Sequence, residues 1–297
     1  MNYRQLGRSS LQVSSIGFGC MSLGDEREAA RLIHRSVEQG INFFDTADLY
    51  DKGLNEERVG RILRDRRADV LLATKVGNQW REDGSGWDWN PRKDYIIGAV
   101  EESLRRLQTD RIDLYQLHGG TMEDPIDETI EAFELLQQQG KIRYYGLSSI
   151  RPNVIREYVQ RSGIVSVMMQ YSLLDRRPEE SCLELLRSAG VGVLARGALG
   201  KGLLAGKAAV PYLDRGVEEV ERAAEAVRTI AGKEHTMADI AIRYVLEEPA
   251  VASAIVGVRT EGQLTEILAG KGEGRLDNAG LGKLRGALSL NRYDTHR

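Results

Sequence analysis

Cysteine is scarce. Cys20 and Cys182 are the two in 297 residues, too few for a disulfide framework, so a reducing cytoplasm is the expected location. Long apolar runs are missing as well. No stretch reaches the roughly 20 apolar residues that span a bilayer, and the first residues, from Met1 to Ser14, hold no apolar signal core. There is no excess of one charge: 41 Lys+Arg against 44 Asp+Glu leave −3. A basic footprint for nucleic acid is therefore absent, and no polybasic run supplies one locally. Histidine occurs 4 times, and neither an HExxH pair nor a Cys/His cluster with metal-ligand spacing is present. These absences remove the secreted scaffold, the membrane partner, the nucleic-acid partner and metal chemistry.

What is present is a 41% hydrophobic composition, enough for a large core, arranged as short β-rich runs alternating with amphipathic stretches. The runs are Ser15–Gly19, Ile41–Phe44, Val70–Thr74, Ile112–Leu117, Ile142–Leu147, Ile164–Met169, Val191–Leu194 and Ala252–Val256. Between them the spacing predicts helices at Asp25–Gln39, Asn55–Arg64, Asp94–Leu107, Pro125–Gln139, Pro152–Gln160, Pro178–Ser188, Val217–Ala231 with Met237–Leu246, and Glu261–Leu268. Gly40, Gly140 and Gly190 each stand where a left-handed residue closes a helix, and Pro125, Pro152 and Pro178 stand near helix starts.

Strict β/α alternation without a linker predicts an α/β fold built as one domain over residues 1–297. Eight units of about 37 residues suit a (β/α)8 TIM barrel. The stretch from Gly7 through Ser9, Ser10 and Leu11 reads as a short N-terminal β-hairpin capping the barrel bottom. The structural rival is a six-stranded doubly wound sheet. It predicts GxGxxG after the first strand, but beyond Gly17 and Gly19 the next glycine, Gly24, comes too late.

In such a barrel, chemistry sits at the C-terminal strand ends. There lie Asp45 and Tyr50 after the second run, Lys75 after the third and His118 after the fourth. Each alone has a bland reading: a cap, a rim aromatic, a solvated cation. Together they form a proton donor. A tyrosine hydroxyl, with a reference pKa of about 10, is a weak acid at neutral pH unless its anion is stabilised. A neighbouring lysine ammonium gives that stabilisation, and a carboxylate holds the ammonium in place. His118 would orient a substrate carbonyl. Protonating an oxygen in this way calls for hydride from elsewhere, and no side chain donates hydride, so a nicotinamide cofactor is implied.

The block Asn42-Phe43-Phe44-Asp45-Thr46-Ala47-Asp48-Leu49-Tyr50 with Asn55-Glu56-Glu57-Arg58-Val59-Gly60, and the segment Gly140-Lys141-Ile142-Arg143-Tyr144-Tyr145-Gly146-Leu147-Ser148-Ser149, resemble the signatures of the aldo-keto reductases. The likeness runs from Gly17 to about Glu266. It implies a (β/α)8 barrel with NADPH (NADP+) extended across its mouth, Tyr50 as general acid, Lys75 and Asp45 as its tuning pair and His118 as substrate orienter. Ser148, Ser149 and Gln170 match positions that meet the nicotinamide carboxamide. Ser149 stands where the family often has Asn, and Arg196 stands where many members stack an aromatic. Leu199, Gly200, Lys201, Gly202 and Lys207 resemble the loop over the pyrophosphate. Gly257, Arg259, Gln263 and Glu266 resemble the adenosine grip, although Gly257 and Ile267 depart from residues found in some members.

The substrate pocket is less defined. Trp80, Trp87 and Trp89 crowd the loop Gly77–Asn90, as an aromatic substrate wall or as a latch on the rim. Met21 and Cys20 fall beside the same mouth, Cys20 reading as an inert apolar residue. Gly119 and Gly120 suggest a roomy pocket after His118. The polar tail from Leu290 to Arg297 folds over the mouth or hangs free. The resulting expectation is an NADPH-dependent reductase of aldehydes, with ketones and dicarbonyls as further small-molecule carbonyl substrates, working as a monomer or weak homo-oligomer. The rivals are a cofactor-binding sensor or channel-accessory protein with little turnover, and a phosphosugar isomerase or lyase barrel.

Overall fold

The computed structural model describes residues 1–270, 272 and 274–297. Eight parallel strands close into a barrel in chain order: β3 (Ile16–Gly19), β4 (Phe43–Asp45), β5 (Leu71–Val76), β8 (Ile112–Leu117), β9 (Ile142–Ser148), β10 (Ser166–Gln170), β11 (Gly192–Arg196) and β12 (Val251–Gly257), with β12 returning to β3. The doubly wound alternative is thereby excluded, and the eight strands expected from the apolar runs are all present. Helices α1 (Glu26–Glu38), α2 (Leu54–Leu63), α3 (Lys93–Leu107), α4 (Ile126–Gln138), α5 (Pro152–Arg161), α6 (Cys182–Ser188), α7 (Val217–Ala231), α8 (Met237–Leu246) and α9 (Glu261–Leu268) accompany them. None of the helices among the described residues is long and apolar enough to cross a membrane.

Helix α1 illustrates why the periodicity was legible. Ala29, Leu32, Ile33 and Ser36 recur at helical spacing and are buried. Asp25 caps the start by accepting from the Arg27 and Glu28 amides, and Gly40 follows the end at φ 92°. The stretch predicted as one helix from Pro178 is broken instead. A 3-10 turn over Arg177–Glu180 gives way to α6 through Ser181, whose φ of −157° interrupts the spiral.

Strands β1 (Tyr3–Gln5) and β2 (Gln12–Ser14) form the N-terminal hairpin. Leu6, Leu11 and Val13 from it are buried with Phe43, Leu114, Met168 and Leu194 of the barrel strands, so the hairpin plugs the lower end of the barrel. Gly7 makes this docking possible. At φ +54° it lies so close to the strands that a Cβ would stand 2.3 Å from the Val165 carbonyl oxygen. A cleft of about 270 Å³ opens beside it, lined by Arg4, Arg8, Arg187 and Ala250. This is the end of a barrel that serves stability rather than chemistry, and Arg4 there is spent on the Leu246 and Val251 carbonyls.

Two elements were not anticipated. The loop after β5 folds into an antiparallel hairpin, β6 (Asn78–Trp80) and β7 (Trp87–Trp89), and a tenth helix, α10 (Asn278–Gly286), follows α9. The tail beyond α10 is tied down rather than free: the Asn153 amide donates to the His296 carbonyl at 2.9 Å.

Candidate active site

At the C-terminal ends of β4, β5 and β8 the strand ladder brings four of the expected residues together. Asp45 is the last residue of β4, and Lys75 stands in register with Gln116 of β8. The Lys75 ammonium donates to Asp45 Oδ2 at 2.6 Å, to the Thr46 carbonyl at 2.7 Å and to Tyr50 Oη at 3.3 Å. Its three donors are all used. The last contact is long for a hydrogen bond, as contacts to a reacting group often are before a ligand tightens them. Gln116 Nε2 donates to the other oxygen of Asp45 at 3.3 Å.

Lys75 is 1% and Asp45 4% exposed. Burial opposes charge on the Lys75 ammonium. The attraction of Asp45 and Tyr50 outweighs it and raises the Lys75 pKa above its ordinary value, so the ammonium persists. The His118 and Tyr50 rings meet edge to face with centroids 5.9 Å apart. Burial first, then the positive charges of Lys75 and Arg196, push the His118 pKa down to about 3. The imidazole is therefore neutral at neutral pH, and its buried Nδ1 has no hydrogen-bond partner. An ammonium, a phenol and a neutral imidazole converging at one mouth can hold an oxygen and deliver a proton to it.

The Tyr50 turn is unusual. Asp51 and Lys52 adopt left-handed φ of 50° and 56° without being glycine, a strain of about 1 kcal/mol or more each. The unanticipated hairpin braces this turn. Trp80 Nε1 donates to the Leu49 carbonyl at 3.3 Å, Lys52 Nζ donates to the Gly84 carbonyl at 3.3 Å, and the same ammonium lies 5.0 Å from the centre of the Trp80 ring. Of the other tryptophans, Trp87 faces outward, 47% exposed, while Trp89 turns inward and donates from Nε1 to Asp124 Oδ1 at 2.8 Å. Trp89 also corrects the expectation of extra room after His118. A Cβ on Gly119 would meet its ring at 3.1 Å, and one on Gly120 would meet Val154 at 2.9 Å, so that space is filled. Met21 is 63% exposed at the rim, whereas Cys20 is fully buried in the core and cannot line the mouth. Burial pushes its thiol far up, consistent with an inert residue.

The signature around Asn55 and Glu56 is scaffold. Asn55 accepts from Thr46 Oγ1 and donates to the Cys20 carbonyl, and Glu56 accepts from Thr74 Oγ1 and from Arg106 Nε. Behind Tyr50, Asp48 is buried with one unpartnered oxygen, and burial, reinforced by Glu56, raises its pKa to about 8.

The residues expected to hold a cofactor line the other half of the same rim. Ser148 ends β9, and the Ser149 hydroxyl accepts from the Arg151 amide at 3.2 Å. Gln170 and Arg196 are register partners at the ends of β10 and β11, and Arg196 Nη1 donates to Gln170 Oε1 at 3.0 Å. The Gln170 amide nitrogen donates to Asp175 Oδ2 at 3.0 Å and to Tyr212 Oη at 3.2 Å. Asp175, Tyr212 and Gln116 escaped the sequence reading. Only Gln116 carried a signal, standing two residues before His118 on the same strand face. The segment after Leu199 turns through Gly200–Ala205 and is kinked at Lys201 and Gly202, whose φ are 58° and 94°. The Gly200 and Gly202 amides are spent on the Gly197 and Leu199 carbonyls, and Lys207 Nζ donates to the Lys201 carbonyl. Beyond Gly257, at the end of β12, the Arg259 amide donates to Gln263 Oε1 at 2.9 Å, and its guanidinium reaches Ser22 Oγ at 3.4 Å. Arg259, just before α9, and Gln263 and Glu266, along it, are exposed.

The sequence pattern of the Aldo/keto reductase family matches residues 15–284. An uncharacterized oxidoreductase of Bacillus subtilis, YqkF, is 49% identical, with 100% of each chain covered. The holo form of aldo-keto reductase AKR11C1 from Bacillus halodurans is 48% identical, covers 100% of this chain and 99% of its own, and superposes with a TM-score of 0.94. Its apo form, at 46% identity and the same coverage, gives 0.85. With the strand-end residues assembled as described, this chain belongs to the aldo-keto reductase family of oxidoreductases, which use nicotinamide cofactors.

Proposed function

We propose that the chain is an NADPH-dependent carbonyl reductase that converts aldehydes to alcohols and extends to ketones and dicarbonyls, with residues 1–297 acting as one catalytic unit. The observation that carries this reading is the chain from buried Asp45 and Lys75 to half-buried Tyr50, facing a neutral His118. The fit to a cofactor with its carbonyl substrate is supported by two further observations. His118 Nδ1 is an unmet polar group at the mouth, and leaving such an atom buried costs about 1–3 kcal/mol that a ligand would relieve. The backbone also lies nearer the holo than the apo form of the Bacillus halodurans relative.

When bound, the nicotinamide supplies hydride to the carbonyl carbon. The protein does the rest. Tyr50 gives its hydroxyl proton to the carbonyl oxygen, and the Lys75 ammonium stabilises the phenolate left behind. Asp45 holds Lys75 charged and in place. The neutral His118 orients the carbonyl oxygen towards Tyr50 by a hydrogen bond. Ser148, Ser149, Gln170 and Arg196 would hold the nicotinamide end. Gln170 Oε1 keeps a second lone pair beside its bond from Arg196, and the Arg196 guanidinium supplies a planar stacking surface. Leu199, Gly200, Lys201, Gly202 and Lys207 would follow the pyrophosphate. With the Gly200 and Gly202 amides already used, the two lysines carry most of that contact. Gly257, Arg259, Gln263 and Glu266 would meet the adenosine end, where the Arg259 guanidinium favours a 2′-phosphate and hence NADPH over NADH. Met21, Trp80 and Trp87 would edge the substrate opening. The two buried free cysteines suit a reducing cytoplasm.

The test follows NADPH absorbance with a panel of small aldehydes and dicarbonyls, comparing wild type with Tyr50→Phe. Turnover by wild type and its collapse in Tyr50→Phe, with NADPH still bound, are expected. Equal turnover by both would remove Tyr50 from the acid role. Tight NADPH binding with turnover by neither would favour a cofactor sensor.

A further inference from the structure

The partners of the Gln170 amide come from two separate loops, and the C-terminal segment is fastened to both. The first loop follows β10. In it Asp175 is 1% exposed and accepts two hydrogen bonds from one guanidinium, Arg177 Nε to Oδ1 at 2.8 Å and Nη2 to Oδ2 at 2.7 Å. The outer face of that guanidinium lies over the ring of Tyr293, 5.3 Å from its centre, and Tyr293 is buried. The second loop precedes α7 and turns through the paired backbone of Tyr212 and Arg215. Asn291 joins the two. Its Oδ1 accepts from the Arg176 amide at 2.9 Å, and its Nδ2 donates to Asp214 Oδ1 at 3.2 Å. Further along, the Tyr293 amide and the Arg297 guanidinium both hold Glu180, while Arg215 Nη2 holds the Ser289 carbonyl at 2.6 Å.

An amide side chain has two ends of opposite polarity, and its neighbours decide which end faces which way. Asp175 accepts only, so it fixes the Gln170 nitrogen. Arg196 donates only, so it fixes the oxygen. Arg177 holds the buried Asp175 side chain in place with two hydrogen bonds, and the Arg177 guanidinium in turn lies against the Tyr293 ring. The position of Tyr212 depends likewise on the turn that Asn291 ties to the first loop.

We infer that the C-terminal segment is a positioning strap for Gln170. Asn291 and Tyr293 clamp the two loops that orient its amide, and so set the affinity for the nicotinamide cofactor. This rests on the proposed contact between Gln170 and the nicotinamide, and the experiment separates the two claims. NADPH dissociation constants are measured on the full-length apo protein by quenching of tryptophan fluorescence, alongside KM and kcat. Asn291→Ala removes both bridging bonds and is expected to weaken NADPH about tenfold, raising KM for NADPH while kcat at saturation holds. Asn291→Asp sets two carboxylates against each other and weakens NADPH at least as much. Adding Asp214→Asn to it restores the bond between positions 291 and 214 with donor and acceptor exchanged, the bond from the Arg176 amide being kept throughout, and restores the affinity. Thr129→Ala on α4, which removes a buried hydroxyl bonded to the Pro91 carbonyl, leaves the affinity unchanged.

If Gln170→Ala weakens NADPH but Asn291→Ala does not, the strap is refuted and the Gln170 contact stands. If Gln170→Ala binds as wild type does, the contact is wrong and the strap falls with it. Equal weakening by Thr129→Ala would reduce the effect to general destabilisation and refute the strap as well.

Discussion

Lys75→Met tests how much of the site's architecture rests on one buried ion pair. The substitution keeps the length of the side chain and removes the ammonium. It leaves the Asp45 carboxylate, 4% exposed, with the Gln116 amide at 3.3 Å as its remaining side-chain partner. An uncompensated buried charge costs about 3–5 kcal/mol. At about 2 °C per kcal/mol, the low end for large chains, Tm falls by about 6–10 °C. Asp45→Asn alone leaves the ammonium buried against a neutral amide and is also destabilising. The double variant, Asp45→Asn with Lys75→Met, removes both charges and is expected to recover most of the loss. The coupling energy from the cycle should therefore exceed about 2 kcal/mol.

The assay is denaturant unfolding at neutral pH followed by far-ultraviolet circular dichroism. Tryptophan fluorescence is less suitable, because Trp80, Trp87 and Trp89 all lie in or beside the β6–β7 hairpin and report on the mouth. Strictly additive effects, with coupling below about 0.5 kcal/mol, would refute the claim that the pair is held charged. On the proposed mechanism the double variant regains stability without regaining turnover. Tyr50→Phe does the reverse, losing turnover while the Asp45–Lys75 pair is untouched.

Asp48 carries a pH signature. With its pKa raised to about 8 by burial first and Glu56 second, the native chain keeps a proton that the unfolded chain releases near pH 4. Stability therefore falls as pH rises from about 4 to about 8, by at most about 1.4 kcal/mol per unit. Asp48→Asn should flatten that slope in unfolding midpoints, and unchanged slopes would refute the assignment. His118 acts in the opposite sense. Its native pKa of about 3 lies below the unfolded value of about 6.5, so its contribution is present above that pH and is lost as pH falls towards 3. The pH profile of kcat/KM should then show no imidazole inflection between about 5 and 8, and one that disappears in His118→Asn would contradict this. Trp89→Ala should cost up to about 3 kcal/mol in denaturant unfolding, since it vacates the space against Gly119 and removes one hydrogen bond to Asp124. Trp87→Ala, at an exposed position, should stay within about 0.5 kcal/mol, and the reverse order would overturn the placement of the hairpin.

The barrel was legible because parallel strands buried on both faces read as continuous apolar runs, and because Gly40, Gly140 and Gly190 punctuate the helices between them. The runs end too early for the same reason. Lys75 lies inside β5, and Asp45, Gln170 and Arg196 are the last residues of their strands, so apolarity stops where the polar mouth begins. The hairpin of Trp80 and Trp87 left a weak trace, two three-residue strands of which only the second shows the Trp-Asp-Trp alternation. Helix α10 left less, since Gly280, Gly282 and Gly286 dilute its propensity and Asp277 is its one clear cap. The partners of Gln170 and the anchors of the tail left no local signal. Asn291 meets residues 115 and 77 positions away, and contacts at such separations exist only once the barrel has closed.

The two halves of the rim are built by different means, and this bears on how such a site diverges. Asp45, Lys75, Gln116 and His118 arise on neighbouring strands or directly after one, so the hydrogen-bond ladder of the barrel fixes their spacing. The buried pair proposed to tune the acid is thus set by the barrel ladder, whereas Tyr50 itself stands on the turn after β4 that the β6–β7 hairpin braces. Gln170 and Arg196 also sit on strands, but Asp175, Tyr212, Arg177 and Asn291, which set their orientation, come from loops and the tail. Loops tolerate substitution and insertion far better than ladders do. Changes in the tail or in the loops after β10 and β11 should therefore shift cofactor affinity while leaving the acid in place. Changes in β4, β5 or β8 should act on stability and proton transfer together, because there the charged pair is part of the core.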